Sequence, residues 1–499
     1  MEPIKRNVSI SDQDALQGNG AARADVARGR RHLIARGRSG LAVRAALASL
    51  VSLALASPQL AAAGVDEIRE LPDGAMLDQS NWQIAEGLLP PEVLGLYKKG
   101  DYKNPVRKIE HMKGTPYDPR LRELSKKNEG RYKINENGTV VDVKTGKRPE
   151  VITGWPFPTI DPKDPQAGVK AMWNSMYTLY WAGSFHTNTP INWVDRDQGL
   201  LRRIVTEVNF KYYDGQPPEF QKEIDNPDNI LSRTLALVRE PSDLNGVISL
   251  NWRYREGDKT DQSWAYVPAL RRVRPINPAN RADGFMGSDI SQDDGPYFDG
   301  KPEDFEFKLI GEGFILGSYD GPGLDKPKFP EQIKPGQEIS DLIPDSEHGW
   351  HFTYPEMPLI ASQEGGWKSG EGMVAWAPIQ MALVLRPVWI VEAKPKNPYY
   401  IFGKQVMYLD KESFRGFWKQ KFDWKGEALA NWQLPESLIY PVDGEPGHVR
   451  IGGGGSVAVM NNFKQDRATV TGMPVSPTDW WVDRPDEIFQ TARILRSGK

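Results

Sequence analysis

The sequence predicts a mainly β protein of the α+β class, built on a long, curved antiparallel sheet with few helices. The 499-residue chain contains 47 Gly and 40 Pro, which interrupt long helices. Several segments alternate apolar and polar residues with a period of two, which indicates β-strands. These segments follow one another closely, so we expect neighbouring strands to pair antiparallel as a meander.

The segment "VISLNWRYRE" shows the strand pattern most clearly. Its apolar residues share one face: Ile248, Leu250, Trp252 and Tyr254. Its polar residues share the other face: Ser249, Asn251, Arg253 and Arg255. The segments "GLLRRIVTEVNFKYY" and "FEFKL" alternate in the same way, and "KQVMYLDKESFRGFWKQKFDWKGEALANW" predicts three strands joined by two turns. This pattern predicts a sheet with one dry, apolar side.

Two helices stand out from this background. The first is predicted over residues 164–182, with Asp164 as N-cap and Pro165 at the first helical position. Its apolar residues recur at helical spacing: Val169, Met172, Trp173, Met176, Tyr177 and Tyr180. The second is predicted in "RPDEIFQTARILRS", near the C-terminus. Two helices are too few to cover a long sheet, so we expect it to curl into a half-barrel around an apolar trough.

The N-terminal 63 residues are typical of a signal peptide. Several arginines precede the apolar run "AALASLVSLALA", and the small residues before Gly64 suit cleavage after Ala63. The apolar run is shorter than the roughly 20 residues of a membrane span, and no later segment supplies one. We therefore expect a periplasmic mature protein. Residues 64–150 are polar and broken by Pro and Gly, which predicts an N-terminal wrap, and residues 151–499 then form the half-barrel domain with its C-terminal helix.

Composition excludes several classes of function. The chain has no cysteine, so it has no disulfide, thiolate metal site, cysteine nucleophile or lipid-modified cysteine. Residues 64–499 contain 54 Lys and Arg against 62 Asp and Glu, a net charge of −8, which argues against nucleic acid as a partner. The segment "DISQDDG" departs from a calcium loop because its glycine falls one position late. No cofactor or metal motif is predicted.

The order of "GWPFP", "DPQAGVKAMWN", "SWAYVPALRRVRPI" and "FMGSDIS" resembles a proteobacterial family of unknown function, often labelled outer-membrane lipoprotein-sorting proteins. The fold of that family is similar to that of the LolA/LolB carriers. The resemblance runs from about residue 155 to residue 432 and is most specific in the arginine-rich part. It implies a half-barrel with a helical lid that handles a lipid-like molecule. An RND-type exporter and an outer-membrane companion protein are the partners it implies.

These observations predict a ligand-binding trough. The predicted ligand-binding residues are Trp252, Tyr254, Trp264 and Tyr266 of the sheet, Trp173 and Tyr177 of the lid helix, and Arg272 and Arg274 of the rim. The arginines would hold an anionic headgroup. Alternatively, they mark where a strand enters water and pair with acids of the following connection, which contains Arg281, Asp283, Asp289, Asp293 and Asp294.

The resulting hypothesis is a periplasmic carrier, without catalysis, for a lipid, sterol or hydrocarbon. Burial drives binding, because each methylene moved out of water gains about 0.8 kcal/mol. Two alternatives remain open. The 16 Trp could form a sugar-stacking groove in a carbohydrate-active enzyme or lectin. A structural envelope protein would instead have a filled core.

Overall fold

The structure is a computed structural model that describes residues 58–108, 119–181, 183–216, 218, 226–320, 350–352, 372–378, 381–441, 449–452, 458–472, 478–480 and 484–497. The predicted signal peptide therefore lies mostly outside the described residues. Five α-helices are described: α1 (Pro58–Glu70), α2 (Pro91–Lys99), α3 (Pro119–Lys126), α4 (Ala167–Trp181) and α5 (Thr491–Ser497). Helix α1 includes the predicted cleavage site at Ala63. No helix in this part of the chain is long and apolar enough to cross a membrane.

The strands confirm a mainly β protein. In chain order they are β1 (Ala75–Leu77), β2 (Asn104–Val106), β3 (Tyr132–Ile134), β4 (Val140–Asp142), β5 (Phe185–Asp195), β6 (Gly199–Tyr212), β7 (Ile230–Glu240), β8 (Ile248–Tyr254), β9 (Gln262–Val267), β10 (Arg272–Ile276), β11 (Phe305–Asp320), β12 (Trp350–Phe352), β13 (Met381–Pro395), β14 (Lys404–Asp410), β15 (Gly416–Phe422), β16 (Ala428–Gln433), β17 (Ser437–Pro441), β18 (Val449–Gly452), β19 (Ala458–Asn462), β20 (Arg467–Thr471) and β21 (Thr478–Trp480). The predicted meander is present as β14, β15 and β16.

One antiparallel sheet contains most of these strands. Its order is β10, β9, β8, β7, β6, β5, β20, β19, β16, β15, β14, β13 and β11. Strands β5 and β20 join the two halves of the sheet, although they are far apart in sequence. Just after β16, the amide of Glu436 donates to the carbonyl of Ser318 in β11 at 2.9 Å.

The N-terminal segment packs onto this sheet. Strand β2 pairs in parallel with β13 at Val106 and Leu383, and the amide of Leu316 donates to the carbonyl of Leu88 at 2.7 Å. Within this segment, "YKINENGTVVDVKTG" forms a small hairpin of β3 and β4. Apolar residues of residues 64–150, such as Leu96 and Tyr97, belong to the same buried cluster as the sheet. Burial of these side chains links the segment to the core.

Helix α4 is a core helix. It begins at Ala167, three residues after the predicted N-cap, and most of its side chains are buried. Gly168 lies so close to β11 that a Cβ atom there would be 2.7 Å from the amide nitrogen of Leu309. Polar side chains of the helix also bond to its surroundings, since the Thr178 hydroxyl donates to the carbonyl of Ser413 at 2.8 Å. The structure thus encloses the helix to which the resemblance assigns the role of a lid, and opening of such a lid would break these contacts.

The C-terminal segment covers the apolar face of β7, β8 and β9. Only its second half is α-helical, because a 3₁₀ turn at Asp486–Phe489 precedes α5. Phe489 and Ile494 are buried against Leu250 and its neighbours, and the Trp252 indole N–H donates to the carbonyl of Phe489 at 3.0 Å. The dry face predicted for this sheet is therefore filled by the protein's own C-terminus.

Removal of the Phe489 ring should show how much this cover stabilises the sheet. We expect Phe489→Ala to lower the free energy of unfolding by about 3–5 kcal/mol, because a buried aromatic side chain is lost and a cavity remains. Urea unfolding followed by tryptophan fluorescence measures the change. Glu487→Ala, at an exposed position of the same turn, should change it by no more than about 0.5 kcal/mol. Equal effects of both variants would show that the C-terminus is not packed as described.

Candidate functional site

A cavity of about 250 Å³ lies on the opposite face of the sheet. Alternate residues of four neighbouring strands line it: Phe185, Thr187, Thr189 and Ile191 of β5, Thr206, Val208 and Phe210 of β6, Thr234 and Ala236 of β7, and Ser249 and Asn251 of β8. Residues that face each other across antiparallel strands point to the same side. On β8, the polar side predicted to face water therefore faces the cavity.

The other wall comes from distant parts of the chain. Most of it is the connection between β10 and β11, which contributes Phe285, Ile290, Ser291, Gln292, Gly295, Pro296 and Asp299. Residues in or next to β16, β19 and β20 extend the sheet side of the cavity: Trp432, Leu434, Ala458, Thr471 and Gly472. The cavity thus lies between a sheet and a connection that crosses it.

Both lining residues of β8 are polar, whereas β5 and β6 contribute apolar residues as well as threonines. At the β5 and β6 side, the rings of Phe185 and Phe210 stack with centroids 4.5 Å apart. Phe210 faces Thr234 on β7, and Thr234 faces Asn251 on β8. The β5 and β6 side therefore offers apolar contacts together with threonine hydroxyls, and the β8 side offers only hydroxyl and amide groups.

The same sheet face continues to the edge strand β10. Ser249 faces Ala265 on β9, and Ala265 faces Arg274 on β10. Val273, which points the opposite way, packs against the apolar cluster under the C-terminal segment. Arg272 and Arg274 therefore stand on the cavity side of the sheet, and both are exposed.

Buried ion pairs hold the connection in place. The carboxylate of Asp294 lies 2.8 Å from the ammonium of Lys419 and 2.6 Å from that of Lys421. All three side chains are buried, and burial alone would raise the pKa of Asp294, but the two ammonium groups outweigh it and hold the pKa below its usual range. Burial lowers the pKa of Lys419 to about 8. This arrangement fastens the connection to β15.

A second group of ion pairs fastens the connection to β8. The Arg281 guanidinium donates to Asp293 at 2.7 Å, and that of Arg253 donates to Asp299 at 2.9 Å. Arg253 also donates to Asp261 at 2.9 Å, so one guanidinium joins two segments. The sequence suggests that these charged side chains are solvated, but the structure shows them buried and paired. Buried charges in proteins generally occur in such pairs.

The acidic residues of the connection therefore pair with other basic residues than the predicted Arg272 and Arg274. Asp289 accepts from Arg467 at 2.9 Å, and Asp293 and Asp294 pair as described above. Asp283 is exposed. Within the described part of the chain, none of these acids pairs with Arg272 or Arg274. The predicted pairs are absent there because of the path of the connection. The connection turns inward across the sheet instead of returning along β10.

Two polar atoms of the cavity wall are buried and have no hydrogen-bond partner among the described residues. They are the carbonyl oxygen of the Gln292 side chain and the indole N–H of Trp432. The amide nitrogen of Gln292 donates to the Ser249 hydroxyl at 2.7 Å, which fixes the orientation of that side chain. One acceptor and one donor next to the cavity thus lack a partner among the described residues, which is uncommon for buried polar groups.

None of the eight residues predicted to bind a ligand lines this cavity. Four belong to the opposite face of the sheet: Trp252, Tyr254, Trp264 and Tyr266. Trp173 and Tyr177 are buried in α4, where the Trp173 indole donates to the carbonyl of Gly138 at 2.8 Å and the Tyr177 hydroxyl to Asp214 at 2.8 Å. Arg272 and Arg274 alone share the face of the cavity. Ligand contact by these eight residues stays a prediction.

The residues that line the cavity carry a weak sequence signal. Strand β5 contains "FHTNTPI", in which small hydroxyl residues alternate along one face. Small side chains leave space under a covering segment, whereas large ones fill it. The small residues of β5 predict a cavity only if the segment that covers them is known. The path of that segment depends on ion pairs between residues more than 120 positions apart.

Loss of the Asp294 charge should destabilise the protein strongly. We expect Asp294→Asn to lower the free energy of unfolding at pH 7 by about 3–5 kcal/mol, because two buried ammonium groups lose their partner. The pKa of Asp294 is lowered in the folded state, so its contribution is present above the ordinary value of 3.8 and is lost as pH falls below it.

Urea unfolding at pH 7 and at pH 3 measures this difference. The gap between wild type and Asp294→Asn should narrow at the lower pH. Asp283→Asn, at the exposed acid of the same connection, is the control. Its free energy of unfolding should stay within about 0.5 kcal/mol of wild type at both pH values. A gap that does not change with pH would contradict an ionised Asp294 in the folded protein.

Solved structures and a curated relative resemble this chain. The first structure is a domain from Vibrio parahaemolyticus provisionally classed as an outer membrane lipoprotein-sorting protein, with a TM-score of 0.42, 15% identity, and coverage of 67% of this chain and all of that domain. A DUF1329 family protein from Desulfovibrio piger gives a TM-score of 0.41 and 15% identity, and the match covers 66% of this chain and 100% of that protein. The LolA superfamily protein NE2245 from Nitrosomonas europaea gives a TM-score of 0.34 and 12% identity. The match covers 64% of this chain and 98% of that protein.

The relative is the uncharacterized protein PA3922 of Pseudomonas aeruginosa, which is 27% identical over 287 residues. The alignment covers 53% of this chain and spans 55% of the relative's length. The sequence profile of the family described as "Protein of unknown function (DUF1329)" matches residues 76–492. This match covers most of the chain and confirms the predicted membership of a family of unknown function: the chain belongs to the DUF1329 family.

Proposed function

We propose that the protein is a periplasmic binding or carrier protein for an amphiphilic, lipid-like molecule. The observation that carries this proposal is the cavity between the sheet and the connection, with stacked aromatic rings at one side and polar groups leading to exposed arginines at the other. The periplasmic location follows from the predicted signal peptide. An RND-type exporter and an outer-membrane companion remain the proposed partners, as the resemblance of the sequence implies.

The apolar side of the cavity supplies the binding energy in this proposal. The side chains of Phe185, Phe210 and Val208 are apolar, and Leu434 adds a fourth apolar side chain to the lining. An apolar cavity of about 150 Å³ holds benzene, so this larger one has room for a segment of a lipid. Each methylene that leaves water for the cavity gains about 0.8 kcal/mol.

The polar side of the cavity sets the orientation of the ligand. Two strand spacings, about 10 Å, separate Ser249 from Arg274 on the same face. The guanidinium groups of Arg272 and Arg274 can hold a carboxylate or phosphate bidentately, and within the described part of the chain neither has an acidic partner. We infer that the headgroup lies towards β10 and the apolar part towards β5 and β6.

Binding without catalysis fits the chemistry of the lining. Hydrolysis of a glycoside needs two carboxyl groups on either side of the bond. Among the described residues that line the cavity, Asp299 is the only acid, and Arg253 already occupies its carboxylate at 2.9 Å. A carrier needs no such pair.

Extraction of the protein from its native periplasm tests the proposal directly. We expect organic extracts of the purified protein, analysed by mass spectrometry, to contain an amphiphile in stoichiometric amount. A sample enriched only in sugars would favour the carbohydrate-binding alternative. An empty extract, together with no binding of a dansyl-labelled fatty acid, would overturn the proposal.

Filling the cavity should block binding. We expect Ala236→Phe to weaken the affinity for dansyl-undecanoic acid at least tenfold, because the new ring occupies the centre of the cavity floor. Fluorescence titration gives the dissociation constant. Ala492→Phe adds the same ring at an exposed position of α5 and should leave the affinity unchanged. Equal affinities of the two variants would place the ligand elsewhere.

The headgroup hypothesis has its own test. The double variant Arg272→Gln, Arg274→Gln should weaken binding of a long-chain fatty acid about tenfold, or about 1.4 kcal/mol, and leave binding of the alcohol of equal chain length unchanged. Arg203→Gln, at an exposed arginine on the other face of β6, is the control. Competition against the dansyl probe measures both affinities. Equal losses for acid and alcohol would contradict charge recognition by these arginines.

A further inference from the structure

Three large hydrophobic side chains are exposed together at one end of the sheet. Tyr399 is 87% exposed, Ile401 51% and Trp424 54%. Tyr399 and Ile401 belong to the connection between β13 and β14, and Trp424 belongs to the turn between β15 and β16. We call these three residues the hydrophobic tip. Isolated exposed hydrophobic residues are ordinary in proteins, but a group of three on neighbouring turns is not.

The two turns are held together by hydrogen bonds. The Trp424 indole N–H donates to the carbonyl of Tyr400 at 2.8 Å, and the amide of Gly403 donates to the carbonyl of Phe422 at 2.9 Å. Gly403 permits this approach, since a Cβ atom there would be 2.6 Å from the Cα atom of Trp424. The three hydrophobic side chains are therefore presented as one unit.

The tip is also fixed to the interior. Tyr400, between the two exposed residues of its turn, is buried and packs edge-to-face on Phe305 at 5.4 Å. Its hydroxyl donates to Asp293 at 2.7 Å, within the ion-pair cluster that holds the connection. On the other turn, Asp423 accepts from the amide of Lys425 at 2.8 Å. A fixed backbone reduces the entropy that the tip loses when it binds.

The residue types fit the interface of a membrane. Trp and Tyr combine an apolar ring with a polar group and are enriched at the headgroup level of bilayers. Exposed lysines surround the tip, namely Lys394, Lys396 and Lys425, together with the acids Asp423 and Glu427. Lys394 lies 3.2 Å from Glu392, and Lys396 donates to the carbonyl of Glu303 at 2.7 Å. Two of the three lysines are thus already engaged, and the acids Glu392, Asp423 and Glu427 match the lysines in number. The aromatic residues, and not a net positive charge, therefore fit the tip to a membrane interface.

The size of the tip argues against a stable protein partner. An aromatic side chain can bury about 150–250 Å², so three partly exposed side chains offer roughly 400 Å². A standard protein interface needs about 800 Å² on each partner. Insertion to the depth of a few side chains into a headgroup layer needs no larger surface, and it gives reversible binding.

We propose that the hydrophobic tip docks the protein on the surface of a phospholipid bilayer. Tyr399, Ile401 and Trp424 enter the headgroup region, and Lys425, next to Trp424, faces the lipid phosphates. The tip lies outside the cavity, and its docking does not depend on which ligand the cavity holds. A carrier with such a surface exchanges its cargo at a membrane and returns to solution.

Vesicle binding tests this proposal with the full chain. Vesicles of phosphatidylethanolamine and phosphatidylglycerol in a 3:1 ratio are mixed with the protein and sedimented. We expect the wild type to bind, and the triple variant Tyr399→Ser, Ile401→Ser, Trp424→Ser to bind at least tenfold more weakly. The matched control Val143→Ser, Val151→Ser, Leu201→Ser removes three hydrophobic residues that are exposed to 47%, 40% and 47% elsewhere. The control should bind within twofold of wild type.

Fluorescence quenching tests the depth of insertion. Lipids brominated near the headgroup should quench wild-type tryptophan fluorescence, and most of this quenching should disappear in Trp424→Phe while vesicle binding persists. Failure of the wild type to sediment, or equal binding of both triple variants, would overturn the proposal. A wild type that ignores vesicles but forms a dimer that the triple variant lacks would identify the tip as a protein interface and overturn it as well. Cavity binding of the dansyl fatty acid should be equal in all variants, which separates this test from that of the proposed function.

Discussion

Buried ion pairs between the β10–β11 connection and the sheet are the constraint on which the rest of the structure depends. Asp294 lies between the ammonium groups of Lys419 and Lys421, and Arg253 and Arg281 hold Asp299 and Asp293. Buried charges are costly without partners, so each group accepts only a narrow range of positions for the others. The connection consequently has one path, and that path forms a wall over the inner face of the sheet.

The two faces of the sheet are covered in different ways, and this difference creates the cavity. On the outer face, Phe489 and Ile494 fill the space above Leu250 and its neighbours, which leaves a solid apolar layer. On the inner face, small hydroxyl side chains such as Thr187 and Ser249 meet a connection that is held by charges. Side chains of this size do not fill the gap, because charged anchors fix the separation of the walls. A space for a foreign molecule results.

The proposed functions divide between the cavity and the hydrophobic tip, and both use the same rigid framework. Asp293 pairs with Arg281 within the connection that covers the cavity, and it accepts a hydrogen bond from Tyr400 beneath the tip. A docking surface and a binding cavity that share one anchor keep a constant geometry when the protein reaches a membrane. Burial of apolar groups provides the affinity in both places, and nearby arginines or lysines provide orientation towards anionic headgroups.

Alternation and turn chemistry in the sequence determined the local structure of this protein. They were sufficient for the mainly β class and for the meander of β14 to β16, and the resemblance carried by four motifs identified the family. They also separated the two faces of β8, because side-chain direction in a strand follows from its period of two. Only the tertiary structure decided which face is packed solid and which encloses a cavity. That difference arises because the C-terminal segment covers one face and the charged β10–β11 connection covers the other. The period-two alternation of a strand is the same whichever segment covers a face, so it does not show which face holds a cavity.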